Sequence, residues 1–149
     1  MEKILVSACL LGDKVRYDGR GNYHPNIKYI LENFDVIPFC PEVEGGLSIP
    51  RIPSEIINDE VINKEGRNVT RQFSLGAGKA LTIVKYFNIK TAILKENSPS
   101  CGVHNIYNGK FQNKLIEGQG ITTRALVEHG VKVISENEIE QFLIEKNIK

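Results

Sequence analysis

The chain has 149 residues, 41% of them hydrophobic and 25% charged, the make-up of an ordinary globular domain large enough to hold a core without staples. Nineteen basic against 18 acidic residues leave a formal net charge of +1, which excludes the strong overall positive field of a nucleic-acid binder. Three cysteines are an odd number for a disulfide framework, no segment approaches the ~20 apolar residues of a membrane span, and the N-terminus lacks the basic start and long apolar stretch of a secretory leader; a reducing cytoplasm is the expected location.

Ile4-Leu5-Val6 is a compact apolar run and reads as a buried strand that stops near Ala8 and Cys9. Pro25 suits the first turn of a helix that carries Ile27, Ile30 and Leu31 inward, and Asp35 to Phe39 makes a second short strand ending at Cys40-Pro41. Residues 41–69 are rich in Pro, Gly and charge, with at most a weak strand at Glu60-Val61-Ile62; so long a stretch is a functional loop more often than a plain connector.

Thr70 has the character of a helix N-cap, and Phe73, Ala77, Ala80, Leu81, Val84 and Phe87 follow at helical spacing. Lys90 to Lys95 is the next strand, and the Asn108-Gly109 pair signals a tight hairpin. A helix over 122–129 is closed by Gly130, a strand covers Val131 to Ile134, and Ser135 with Glu138 forms a capping box for a last helix burying Ile139, Phe142 and Leu143. Strands alternating with helices predict a single α/β domain over 1–149, an α/β sandwich with a mostly parallel, Rossmann-like sheet. No repeat, linker or low-complexity tract divides it.

Cys9, Cys40 and Cys101 each fall just past the end of a predicted strand. In an open parallel sheet those ends share one edge, where ligands bind, so cysteines 31 and 61 residues apart can meet in space. A lone free cysteine is usually a small buried hydrophobe; three at strand ends beside Pro and Gly point instead to a site. There is no CxxC pair for a zinc ribbon or a thioredoxin-like motif. Three thiolates leave open one position of a tetrahedral zinc or one iron of a 4Fe-4S cluster, and His24 or, better placed, His104 is available to close a zinc site.

Two glycine motifs fail. Gly76-Ala77-Gly78-Lys79 lacks the first glycine and the hydroxyl residue of a phosphate loop and sits inside a helix pattern, where glycines let the helix approach the sheet closely. Gly118-Gln119-Gly120 lacks the third glycine of a dinucleotide fingerprint.

Other motifs run in order along the chain: Cys9-Leu10-Leu11-Gly12, Arg16-Tyr17-Asp18-Gly19, Cys40-Pro41-Glu42, Gly45-Gly46-Leu47, Pro50-Arg51, Val69-Thr70, Gly76-Ala77, Ile93-Leu94-Lys95 and Ser98-Pro99-Ser100-Cys101-Gly102. From about residue 4 to about residue 135 the chain thereby resembles the formerly uncharacterised bacterial family that contains the 2-thiouracil desulfidases. Asn68, where an acidic residue is expected in many relatives, and Val15, where some carry a further cysteine, depart from the pattern without touching a presumed ligand.

The resemblance implies a 4Fe-4S cluster held by Cys9, Cys40 and Cys101 with the fourth iron open, and a hydrolase- or lyase-type removal of sulfur from a thiolated pyrimidine. Such an iron is a Lewis acid for soft sulfur. Glu42, two residues past Cys40, is the first candidate for general acid or base, and Ser98 is the better catalytic serine by resemblance. Ser100, Arg16, Asp18 and Arg51 are candidates for substrate contact, with an Arg-Asp pair holding the loop together as the plainer role. The other reading is a non-catalytic, zinc-stabilised binding module using the three cysteines and His104.

Overall fold

A computed structural model describes residues 1–148. In chain order the elements are β1 (Lys3–Ser7), α1 (Ile27–Asn33), β2 (Asp35–Phe39), α2 (Pro41–Glu44), β3 (Ser54–Ile57), β4 (Glu60–Asn63), α3 (Thr70–Phe87), β5 (Thr91–Leu94), β6 (Asn105–Tyr107), β7 (Leu115–Glu117), α4 (Ile121–Glu128), β8 (Lys132–Ser135) and α5 (Ile139–Glu145). β1 pairs in parallel with β2 on one side and β5 on the other, and β8 lies parallel beyond β5. The expected α/β fold with a parallel central sheet is present.

The unbroken apolar run of β1 is explained by cover on both faces. Ile4 and Val6, with Ile93 and Ile134, pack on Ile27 and Ile30 of α1 and on Ile139, Phe142 and Leu143 of α5. Leu5, Ala92 and Leu94 face the other way, onto Ala80 and Val84 of α3 and Leu126 of α4. Each fully buried Leu or Ile contributes about 1.5–3 kcal/mol, so these two layers carry most of the core.

The sheet order β2-β1-β5-β8 contains a reversal: the chain goes outward from β1 to β2, then returns to the opposite side of β1 for β5. The crevice beyond the carboxyl ends of β1 and β5 is the topological switch point at which open α/β sheets bind ligands.

Several local expectations are corrected. Residues 41–69 are not one loop, because they fold α2 and the β3–β4 hairpin, closed by Asn58 and Asp59 with φ of 51° and 64°, the left-handed pair of a type I′ turn. A third apolar cluster of Ile56, Val61, Val69, Phe73 and Ile106 moors this hairpin to α3. The Thr70 hydroxyl does not cap α3; it accepts the Val61 N–H at 2.8 Å, while Asn68 Oδ1 accepts the Thr70 N–H at 3.0 Å. Leu31 and Phe87, expected inward, are 48% and 40% exposed, since the buried stripes of these helices run through Ile27 and Ile30 and through Phe73, Ala77, Ala80 and Val84. The Asn108-Gly109 pair is not a two-residue hairpin turn: β6 pairs with β7, Tyr107 opposite Leu115, across a loop of residues 108–114. The helix before Gly130 and the Ser135–Glu138 capping box are as expected. No helix among the described residues is long and apolar enough to cross a membrane.

Candidate functional site

Each cysteine is placed by the end of a parallel strand. β1 runs into a 3-10 turn, Ala8–Leu11, that holds Cys9 buried and closes on Gly12 at φ 97°, a left-handed conformation open to glycine at little cost. Cys40 follows β2 in the extended conformation favoured before proline, and Pro41 opens α2. Two glycines seat α2 on α3. A Cβ on Gly76 would overlap the Pro41 carbonyl oxygen, and one on Gly45 would overlap that of Gln72. The Gly76 approach is therefore to α2 and not to the sheet, and Gly78 faces open space.

Cys101 lies in the loop after β5. Glu96, 5% exposed, folds that loop: its Oε1 accepts the backbone N–H groups of Val103 (2.6 Å), His104 (2.9 Å), Asn105 (3.2 Å) and Asn97 (3.3 Å). Ser98 Oγ accepts the Cys101 N–H at 2.7 Å. Ser7 Oγ accepts the Lys95 N–H at 2.9 Å and donates toward Cys101 Sγ at 3.7 Å.

A cavity of about 390 Å³ opens at these strand ends, lined by all three cysteines together with Glu42, Ser98 and Ser100. Ser100 Oγ donates to Glu42 Oε2 at 2.8 Å and lies 3.3 Å from Ser98 Oγ. The other carboxylate oxygen, Glu42 Oε1, accepts from Arg51 Nε at 2.9 Å. Ser98, Ser100, Glu42 and Arg51 thus form a continuous hydrogen-bonded line beside the thiols. Arg51 also gives one N–H of each terminal nitrogen to protein, Nη2 to the Val15 carbonyl (2.9 Å) and Nη1 to that of Ser48 (3.1 Å). Because Val15 contributes its carbonyl here, this contact does not depend on the side chain at that position.

Of the other sequence candidates, Arg16 lines the cavity and Asp18 does not. Asp18 sits 3.7 Å from Arg16 and accepts the Arg20 N–H at 3.0 Å, bracing the loop. Glu96 and Lys95 were not among the candidates, although a charged pair directly after a strand end was the available signal. Lys95 lines the cavity and pairs with Glu136 at 2.9 Å.

All three cysteines are free thiols. Burial pushes the Cys101 thiol up to about 12, against hydrogen bonds from Ser100 and Ser7 that favour the thiolate. Burial, then the charge of Cys40, pushes Cys9 up to about 11. Cys40 is raised as well, chiefly by burial. Metal binding here must release protons, and the charge of a bound metal supplies what desolvation withholds.

A family model described as 2-thiouracil desulfurase matches residues 4–138. The chain belongs to that family. It is 41% identical over 150 residues to an uncharacterized protein of Bacillus subtilis strain 168, YbbK, covering 94% of this chain and 99% of that one. Its fold matches the solved structure of a 4Fe-4S-dependent thiouracil desulfidase, TudS, with a TM-score of 0.93 and 41% identity over 99% of both chains.

The donor set of this desulfurase-family chain fits a cluster better than a single ion. Three buried or half-buried thiols line one cavity with no histidine beside them among the described residues, the soft all-sulfur donor set that iron–sulfur clusters take. The zinc reading fails at its fourth ligand. The His104 side chain is 58% exposed and its Nε2 lies 2.7 Å from Glu138 Oε1, and His104 is absent from the cavity lining. His104→Ala is therefore expected to leave the metal content of anaerobically prepared protein unchanged, read by metal analysis. The Glu138 hydrogen bond raises the His104 pKa from its ordinary 6.5. The pair stabilises the fold between the lowered Glu138 pKa and the raised His104 one, and is lost as pH falls through the first or rises through the second; being exposed, it contributes about 0–1 kcal/mol.

Proposed function

We propose that this chain is a 4Fe-4S-dependent desulfidase that removes sulfur from a thiolated pyrimidine such as 2-thiouracil, releasing uracil and hydrogen sulfide. The observation that carries this reading is the convergence of Cys9, Cys40 and Cys101 on one cavity, with the Ser100–Glu42 hydrogen bond in the same wall. Cys9, Cys40 and Cys101 are the ligands in this reading. A 4Fe-4S cluster with three protein thiolates supplies, when bound, a Lewis-acidic iron open to soft sulfur.

The remaining work falls to the protein. Replacing C=S by C=O takes its oxygen from water and changes no oxidation state, so the side chains have only protons to manage. Glu42 Oε2 accepts the proton of the attacking water, with Ser100 Oγ as its hydrogen-bonded neighbour and Ser98 Oγ next in line. Arg51 holds the carboxylate in place through Oε1, a positioning role in preference to substrate contact. Arg16, loosely paired with Asp18, keeps donors free for a ring carbonyl. Three free thiols suit a reducing compartment, and the cytoplasm is the proposed location.

Anaerobic reconstitution tests the reading. The protein is expected to bind about four irons per chain and to release sulfide from 2-thiouracil, with uracil identified by chromatography. Cys9→Ser, Cys40→Ser and Cys101→Ser should each lose iron and conversion together. Unchanged iron and unchanged conversion in the three variants would sink the proposal.

A further inference from the structure

Part of the cavity wall has no place in this chemistry. Tyr107 at the end of β6, and Phe111 and Asn113 from the 108–114 loop, line the same space as the cysteines. The loop is held there by devices unrelated to hairpin closure. Gly109, at φ 87°, passes so close over β3 that a Cβ would stand 2.7 Å from the Ile56 carbonyl oxygen, so the Asn-Gly motif serves a close approach and not a turn. Glu55 of β3, 8% exposed, turns its Oε1 to the backbone N–H groups of Gly109 (2.9 Å) and Phe111 (3.1 Å).

Phe111 and Asn113 both take left-handed backbone, with φ of 54° and 57°. Asparagine adopts it readily, but a bulky side chain such as Phe111 does so only where the surroundings hold it. In the loop's remaining side-chain bonds Asn108 Nδ2 donates to Gln112 Oε1 and Asn108 Oδ1 accepts the Lys110 N–H; the Asn113 carboxamide takes part in neither. Half-buried Phe111 and exposed Asn113 thus line a cavity of about 390 Å³ from a loop fixed at its backbone.

We infer that the 108–114 loop is the base-reading wall of the site: Phe111 stacks on the planar thiolated ring and Asn113 pairs its amide with the ring's adjacent N–H and C=O, while Glu55 and Gly109 are positioning residues. The inference rests on the function proposed above and specifies how its substrate is chosen. A flat heteroaromatic ring stacks on any aromatic face, so Phe111 supplies affinity. A carboxamide carries a donor and an acceptor side by side, complementary to the imide edge of a pyrimidine, so Asn113 supplies discrimination.

The test titrates uracil, the unreactive oxygen counterpart, into the reconstituted protein by anaerobic calorimetry, alongside KM and kcat for 2-thiouracil and for pyridine-2-thione, which lacks the imide edge. Phe111→Ala is expected to weaken uracil binding about 5- to 100-fold and to raise KM with little change in kcat; Phe111→Tyr, which keeps the ring, should restore both. Asn113→Ala should lower the preference for 2-thiouracil over pyridine-2-thione by about 10-fold or more. Glu55→Ala should act like Phe111→Ala, and Glu55→Gln, which keeps an acceptor for the two N–H groups, should not. Wild-type uracil affinity and KM in both Phe111→Ala and Asn113→Ala would overturn the inference, as would a wild-type protein that binds no uracil. The proposed function fails separately, through absence of sulfide release from every thiolated pyrimidine.

Discussion

Glu42→Gln is expected to slow sulfide release by ~10²–10⁴-fold, the usual contribution of a positioned general base, while the reconstituted protein keeps its iron. Gln matches Glu in length, so its amide oxygen can still accept from Ser100 or from Arg51, which bond the two carboxylate oxygens at 2.8 Å and 2.9 Å. What it cannot do is take a proton from water. The substitution also leaves the Arg51 guanidinium, 7% exposed, facing a neutral partner, which costs about 1–3 kcal/mol of stability. A melting curve taken with the iron assay separates that loss from the catalytic one. Turnover within a few-fold of the wild type at full iron content would move the base elsewhere, with Ser100 and Ser98 as the next groups to examine.

The second large effect is structural and falls on one of two neighbouring glycines. Gly76→Ala is expected to destabilise the protein by about 1–3 kcal/mol, and Gly78→Ala to stabilise it by about 0.5–1 kcal/mol. Both lie inside α3, where alanine is the better helix former by up to about 1 kcal/mol. At Gly78 nothing stands in the way of the new methyl, whereas at Gly76 it meets the Pro41 carbonyl oxygen. A backbone carbonyl cannot rotate aside as a side chain does, so α2 has to move. With only four residues, α2 has little stability of its own and takes Cys40 and Glu42 with it. Denaturant unfolding checks the stabilities, and iron retention after gel filtration checks the site. Gly76→Ala with wild-type stability and full iron would show that this close approach is not what seats Cys40.

Much of the candidate site was legible because its parts sit next to strong local signals. Cys9 and Cys101 follow β1 and β5, whose burial on both faces declares itself as an apolar run, and Cys40 follows the short edge strand β2. Glu42 was legible through its place beside Cys40. The α2 helix and β3 were hidden, since four-residue elements with few apolar residues have no periodicity to read. Leu31 and Phe87 failed for a different reason: helical spacing says which residues share a stripe, but its width is set by what packs against it. The role of Gly109 was misread because a left-handed glycine serves a turn and a close backbone contact equally well.

Local composition and periodicity by themselves determined the α/β class, the positions of three cysteines at strand ends and the helix boundaries marked by Gly130 and by Ser135 with Glu138. Tertiary structure alone decided that Glu42 bonds Ser100 across 58 residues of chain, that Glu96 and Glu55 shape the loops on either side of the cavity, and that His104 turns to Glu138 and away from the thiols. The physical reason is that these contacts depend on strand order. Once β5 returns beside β1 instead of β2, loops distant in sequence share one crevice, and no window along the chain contains that fact.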